Sequence, residues 1–172
     1  AEVLSSELKA VAQAIDAWRS VVDEFGSSME ALVALEKLYQ SAERWDELAE
    51  TYDAHLDAVS GDGERLELLG KLGDLRREHL RDLDGALDAY RRALTLDTTH
   101  AASRSALEKL LDDSDPTARK EAAAVLHPIY ETDGEHERLL RVLEIEVAAS
   151  EDPLERIASL EKAMQIAEVS LS

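Results

Sequence analysis

LVALEKLYQSAERWDELAETYDAHLDAVS, residues 32–60, is the stretch whose reading decides the fold. Leu32, Leu35 and Tyr39 recur at the three-to-four spacing that lines one face of a helix, and Trp45, Leu48 and Tyr52 repeat it after a break. Ala42 to Arg44 leave room for only a short turn, so the stretch reads as two short antiparallel helices. No alternating apolar pattern of useful length points to a strand.

The same pattern recurs along the chain. Leu35 has counterparts at Leu72, Leu107, Leu126 and Ala163, in steps of 37, 35, 19 and 37 residues. Three steps are one helix pair long; the step of 19 residues is one extra helix. Shifted by 91 residues without gaps, Leu35, Tyr39, Leu48, Glu64, Arg65, Leu69, Lys71 and Leu80 fall on Leu126, Tyr130, Leu139, Glu155, Arg156, Leu160, Lys162 and Leu171. Shifted by 72, the run Ala34 to Leu38 lies on Ala106 to Leu110, and Asp16 to Arg19 on Asp88 to Arg91. Duplication followed by insertion of an odd helix accounts for both shifts, and the odd helix is expected to invert the alternation of inner and outer helices after residue 115.

Leu32-x2-Leu35-x3-Tyr39, a turn, and Trp45-x2-Leu48-x3-Tyr52 resemble the tetratricopeptide repeat, a helix-turn-helix unit of 34 residues. Leu32 stands where that family carries Trp, Glu36 where it carries Gly and Ser60 where it carries Pro. Leu69-x2-Leu72-Gly73 and Ala86-x3-Tyr90-x2-Ala93 fit the pattern more closely, with Arg76 in place of its Tyr. The resemblance covers roughly residues 14–171. It implies an all-α fold, an α-solenoid of about nine antiparallel helices in a right-handed superhelix, with 1–172 as a single repeat domain. It also implies a concave groove lined by the exposed side of each first helix. In this sequence that side carries Glu30, Val33, Lys37 and Gln40, then Glu67, Asp74, Arg77 and Glu78.

Individual helices follow from periodicity and punctuation. Leu8, Val11, Ile15, Trp18, Val21 and Val22 mark a first helix ending at Gly26. Ser27 and Glu30 read as a capping box for the second, and Trp45 should open the third with its ring packed under the preceding turn rather than stacking a ligand. The fourth is expected over about 64–80, followed by a turn one residue longer than the first because of the extra residue between Gly73 and Ala86. Asp82 to Gly85 should cap the fifth; Arg76 should weaken its contact or move to the surface. Asp115-Pro116 opens the seventh helix, in which Pro128 is expected to give a kink or a split. Asp152-Pro153-x-Glu155 caps the ninth, whose face of Ile157, Leu160, Ala163, Met164 and Ala167 has no partner further along the chain. That face suits either more repeats of a longer parent protein or another subunit, giving a homo-oligomer through the C-terminal helix.

Composition narrows the function classes. Thirty-eight acidic against nineteen basic residues leave a net charge of −19, which disfavours nucleic acid and anionic membranes as partners. The charge suits a solvated surface or an acidic face for a basic partner. No apolar run approaches the roughly 18 residues of a membrane span, so membrane insertion is not expected. Without cysteine there is no thiol chemistry. The compartment is not fixed by these features; a soluble chain, cytoplasmic rather than periplasmic, is expected.

Chemistry-bearing motifs fail on inspection. Gly70-Lys71 lacks the preceding glycine and the following hydroxyl of a phosphate loop, and Asp82 to Leu87 lacks the ligand and glycine positions of a calcium loop. His55, His79, His100, His127 and His136 are nowhere three or four apart, although His127 and His136 flank one turn. No enzyme, metal site or cofactor is therefore expected. The sequence points to a non-catalytic module that binds a protein or peptide, basic or mixed in charge; the alternative is an architectural segment stacking end to end.

Overall fold

The computed structural model describes the backbone of residues 2–170 and the side chains of residues 9–168. Leu8 and Leu171 of the expected pattern lie outside the residues whose side chains are described. The described residues form α1 (Glu2–Phe25), α2 (Met29–Ser41), α3 (Trp45–Ala58), α4 (Asp62–Leu75), a π turn (Arg76–Leu80), α5 (Leu83–Leu96), α6 (Ala101–Leu110), α7 (Pro116–Asp133), α8 (His136–Ala149) and α9 (Pro153–Ser170), with no strand among them. The fold is an all-α helical repeat of the α-solenoid class.

The chain divides into two compact units, Ala1–Ala89 and Tyr90–Ser172. In the first, α1 packs on α2, α2 on α3 and α3 on α4, and the π turn also lies against α3. In the second, α6 packs on α7, α7 on α8 and α8 on α9. Short turns between packed neighbours make each pair antiparallel.

Each unit is held by the apolar stripe that its periodicity implies. Ile15, Leu32, Leu35, Tyr39, Leu48, Tyr52, Leu69 and Leu72 are buried in the first; Leu107, Leu126, Tyr130, Leu139, Val142 and Leu143 in the second. Val21 is exposed, so the stripe of α1 is narrower than expected. On α9 the expected face is divided: Ala163 and Ala167 are half-buried, whereas Ile157, Leu160 and Met164 are exposed. Spacing alone could not say which flank of the stripe meets α8.

The ends of the helices follow side-chain chemistry. Gly26, at φ +85°, closes α1 through its N–H to the Val22 carbonyl at 2.8 Å. Ser28, not Ser27, caps α2 by accepting from the Ala31 N–H at 3.2 Å. Glu30 thereby falls one position short of the place from which a capping-box carboxylate reaches back. Asp115 caps α7 through the Thr117 N–H at 2.9 Å, and Asp152 accepts from the Leu154 N–H at 2.9 Å. Glu155 takes the Ser150 hydroxyl at 2.8 Å rather than closing a reciprocal box.

Two local expectations are corrected. The extra residue between Gly73 and Ala86 does not lengthen the turn; it is absorbed inside the helix as the π turn, leaving only Arg81 and Asp82 between helices. The hydrogen bonds record the insertion. In the α2–α3 turn the Arg44 N–H reaches back to the Tyr39 carbonyl, five residues away, whereas the Asp82 N–H reaches the Arg76 carbonyl, six away. Glu43 and Arg81 hold the same left-handed position in the two turns, at φ 53° and 54°. Arg76 is correspondingly not driven to the surface: it is half-buried, with Nη2 2.8 Å from Asp53 Oδ2 and Nη1 donating to the Gly85 carbonyl at 3.3 Å.

Pro128 does not split α7, which runs unbroken over eighteen residues. Both Pro128 and Ala124, whose carbonyl loses the missing proline N–H, lie on the exposed side of the helix. Water can reach that carbonyl, which lowers the usual cost of an interior proline.

Candidate functional site

Trp45 is the first residue of α3, and its ring meets the π turn. There it stacks on His79, with ring centroids 3.9 Å apart and planes 26° from parallel. Trp45 is half-buried and His79 exposed, so the indole meets a side chain of the π turn at the surface. The extra residue of the π turn is what shifts the helix register just before His79.

Beside this stack lies a cavity of about 200 Å³ bordered by Leu48, Tyr52 and Leu75, with Gln40, Lys71, Asp74 and Glu78 also lining it. Its charges are partly tied to one another. Lys71 Nζ is 2.6 Å from Glu67 Oε1, and this bond raises the ammonium and lowers the carboxyl from their ordinary values. Arg77 Nη2 donates to Glu78 at 2.7 Å and lies 3.6 Å from Asp74 Oδ1. Burial, then the nearby Glu36 carboxylate, pushes the Tyr52 phenol up.

Of the residues expected to line a groove, Gln40, Asp74 and Glu78 border this cavity directly. Glu67 meets it through Lys71, and Arg77 through Asp74 and Glu78. Glu30 and Lys37 are exposed on α2 and do not line the cavity, and Val33 is half-buried. Trp45, Lys71 and His79 were absent from the expected set. Spacing offered one signal for His79, the residue of excess after Gly73, but not where that residue would be accommodated.

Two other hollows are of similar size. One, lined by Leu32, Leu35 and Tyr39 with Glu47 and Glu50, lies in the first unit; the other, beside Pro128, is walled by Leu94, Val125 and Ile129.

A second arrangement sets each of two histidines against a carboxylate of a neighbouring helix. In the first unit His55 on α3 donates from Nδ1 to Glu36 on α2, with Glu64 3.4 Å from Nε2. In the second unit His127 on α7 lies 2.7 Å from Glu146 on α8, and Lys162 Nζ is 3.0 Å from its Nε2. Glu36 and His127 are equivalent under the 91-residue shift, as are His55 and Glu146. The two units thus make the same cross-helix bond with donor and acceptor exchanged. Comparing charges at equivalent positions, rather than histidines with each other, would have revealed it. No group of three His, Asp or Glu side chains able to hold a metal occurs among the described residues. No helix among them is long and apolar enough to cross a membrane.

Residues 31–66, most of α2, all of α3 and the start of α4, match the family model described as tetratricopeptide repeat. No curated protein and no solved structure matches the chain. The repeats of that family are in general non-catalytic modules that bind proteins or peptides, and the helical-repeat fold around the match accords with a protein-interaction scaffold. The match supports assigning residues 31–66 to the tetratricopeptide-repeat family.

Proposed function

We propose that the chain is a non-catalytic scaffold, with residues 1–172 working as one repeat domain, that holds a basic or mixed-charge protein segment along the exposed side of α2 and α4. Glu30, Lys37, Gln40, Glu67, Asp74, Arg77 and Glu78 form the contact surface in this reading. The cavity beside Trp45 is the observation that carries it, because three of these residues converge there on an apolar floor. The net charge of −19 supports a basic partner through steering and complementarity.

Charge reversal tests the reading. Glu67→Lys with Asp74→Lys should weaken capture of basic peptides from a mixed-charge peptide array, with circular dichroism unchanged. Undiminished capture by the doubly reversed protein would remove this surface from consideration.

A second, architectural reading draws on α9, where Leu154, Ile157, Leu160 and Met164 are between 49% and 75% exposed. Clustered apolar exposure of this kind suits contact with another subunit or further repeats. If it holds, the mass measured by light scattering rises with concentration and falls to that of a monomer on Leu160→Gln with Met164→Gln. A monomer at all concentrations would refute self-association.

A further inference from the structure

Resting on the groove reading, we propose that the cavity beside the Trp45–His79 stack is an anchor pocket for one cationic side chain, a lysine or arginine of the bound segment.

Its shape suits such a group. Leu48, Tyr52 and Leu75 offer apolar wall to an aliphatic stem, while the indole of Trp45 provides the strongest natural partner for a cation over a ring. Its charge suits one too. Asp74 and Glu78 line the cavity, Glu67 flanks it, and Glu36 lies near enough to act on both Lys71 and Tyr52. Against these four carboxylates stand two cations, Lys71 and Arg77, so an incoming ammonium or guanidinium is favoured and a carboxylate is repelled. A metal ion is the weaker occupant, since no three-ligand group is present among the described residues.

The second unit shows how the equivalent place is spanned from within. Under the 91-residue shift Lys71 corresponds to Lys162 and Gln40 to Glu131. Lys162 bridges α9 to α7, with Nζ 2.8 Å from Glu131. Lys71 is instead held by Glu67 on its own helix, one turn back, and Gln40 is neutral. The first unit therefore lacks that cross-helix lysine bridge, and the π turn adds His79 and Glu78 to its wall.

The test follows the Trp45 indole N–H by NMR in a Trp18→Phe background while the chain is titrated with glycine–serine peptides carrying one lysine or one arginine. Matched peptides with glutamate or leucine serve as controls. The proposal expects the basic peptides alone to shift this signal, less so in high salt, and their affinity to fall about fivefold for Asp74→Asn with Glu78→Gln. Both carboxylates are exposed, so these variants keep the fold. A Trp45 signal that stays still while amides around Glu30 and Lys37 move would overturn the anchor pocket and leave the groove reading standing. No movement anywhere on α2 or α4 would overturn both. An equal response to glutamate or leucine would overturn the cationic assignment.

Discussion

Exchanging Glu36 and His55 for one another tests whether the cross-helix bond is a matched pair that tolerates either orientation. The bond is largely withdrawn from water: the two side chains are 15% and 4% exposed. A hydrogen bond to a charged group contributes about 1.5–3 kcal/mol, and little water is available here to replace it. Glu36→His alone should therefore cost about 2 kcal/mol. His55→Glu should cost more, about 3 kcal/mol, because it sets a second carboxylate against Glu36 in a site that Glu64 already borders. The double exchange restores one histidine facing one carboxylate, the orientation that His127 and Glu146 adopt, and should lie within about 1 kcal/mol of the parent. Urea unfolding followed by circular dichroism gives the four stabilities. Hydrogen exchange at amides of α2 and α3 guards against local opening of a single repeat. The same cycle at His127 and Glu146, which are 19% and 24% exposed, should give a smaller coupling of about 1 kcal/mol. If the double exchange at Glu36 and His55 is as unstable as the two single losses added together, the equivalence of the two pairs is wrong.

Two further outcomes follow from the same structure. Pro128→Ala returns an N–H to the exposed Ala124 carbonyl and should stabilise the chain by about 1–3 kcal/mol, seen as a higher melting temperature; an unchanged or lower one refutes the account of α7. Burial raises the Tyr130 and Tyr52 phenols, with the Glu108 carboxylate adding to the first through a 2.8 Å bond, so the folded state keeps both protons where the unfolded state begins to lose them. That contribution to stability is complete below the ordinary phenol range and declines as pH rises through it. Phenolate absorbance should show fewer than all four tyrosines ionising in that range before unfolding, and Tyr130→Phe should lessen the alkaline decline.

The helices were legible because a 3.6-residue apolar period over ten or more residues has few other solutions, and because Gly26, Asp115 and Asp152 punctuate it with side chains of known local preference. The departures are places where tertiary packing chose between local options of similar cost. The residue of excess after Gly73 could have entered the loop or the helix; the Arg76 ion pair with Asp53 and its bond to the Gly85 carbonyl favour the helix. Pro128 could have broken α7, but its exposed position lets solvent take the orphaned carbonyl. For the site, the first-helix register brought Gln40, Asp74 and Glu78 together in advance. Trp45 and His79 meet at the π turn, which no pattern of residue types announces.

The exchanged pairs also bear on how a duplicated chain avoids folding into itself wrongly. Copies of one helix hairpin offer each other nearly interchangeable apolar stripes, so α2 could in principle dock on α8, and α7 on α3. Either mistake places like beside like: Glu36 would face Glu146, and His127 would face His55. Only the native partnerships set a histidine against a carboxylate. A difference of two residues per copy would thus disfavour crossed hairpins and the exchange of helices between chains, which are characteristic errors of repeat proteins. Restoring the same orientation in both copies would leave each hairpin nearly as stable as before and erase that difference between them.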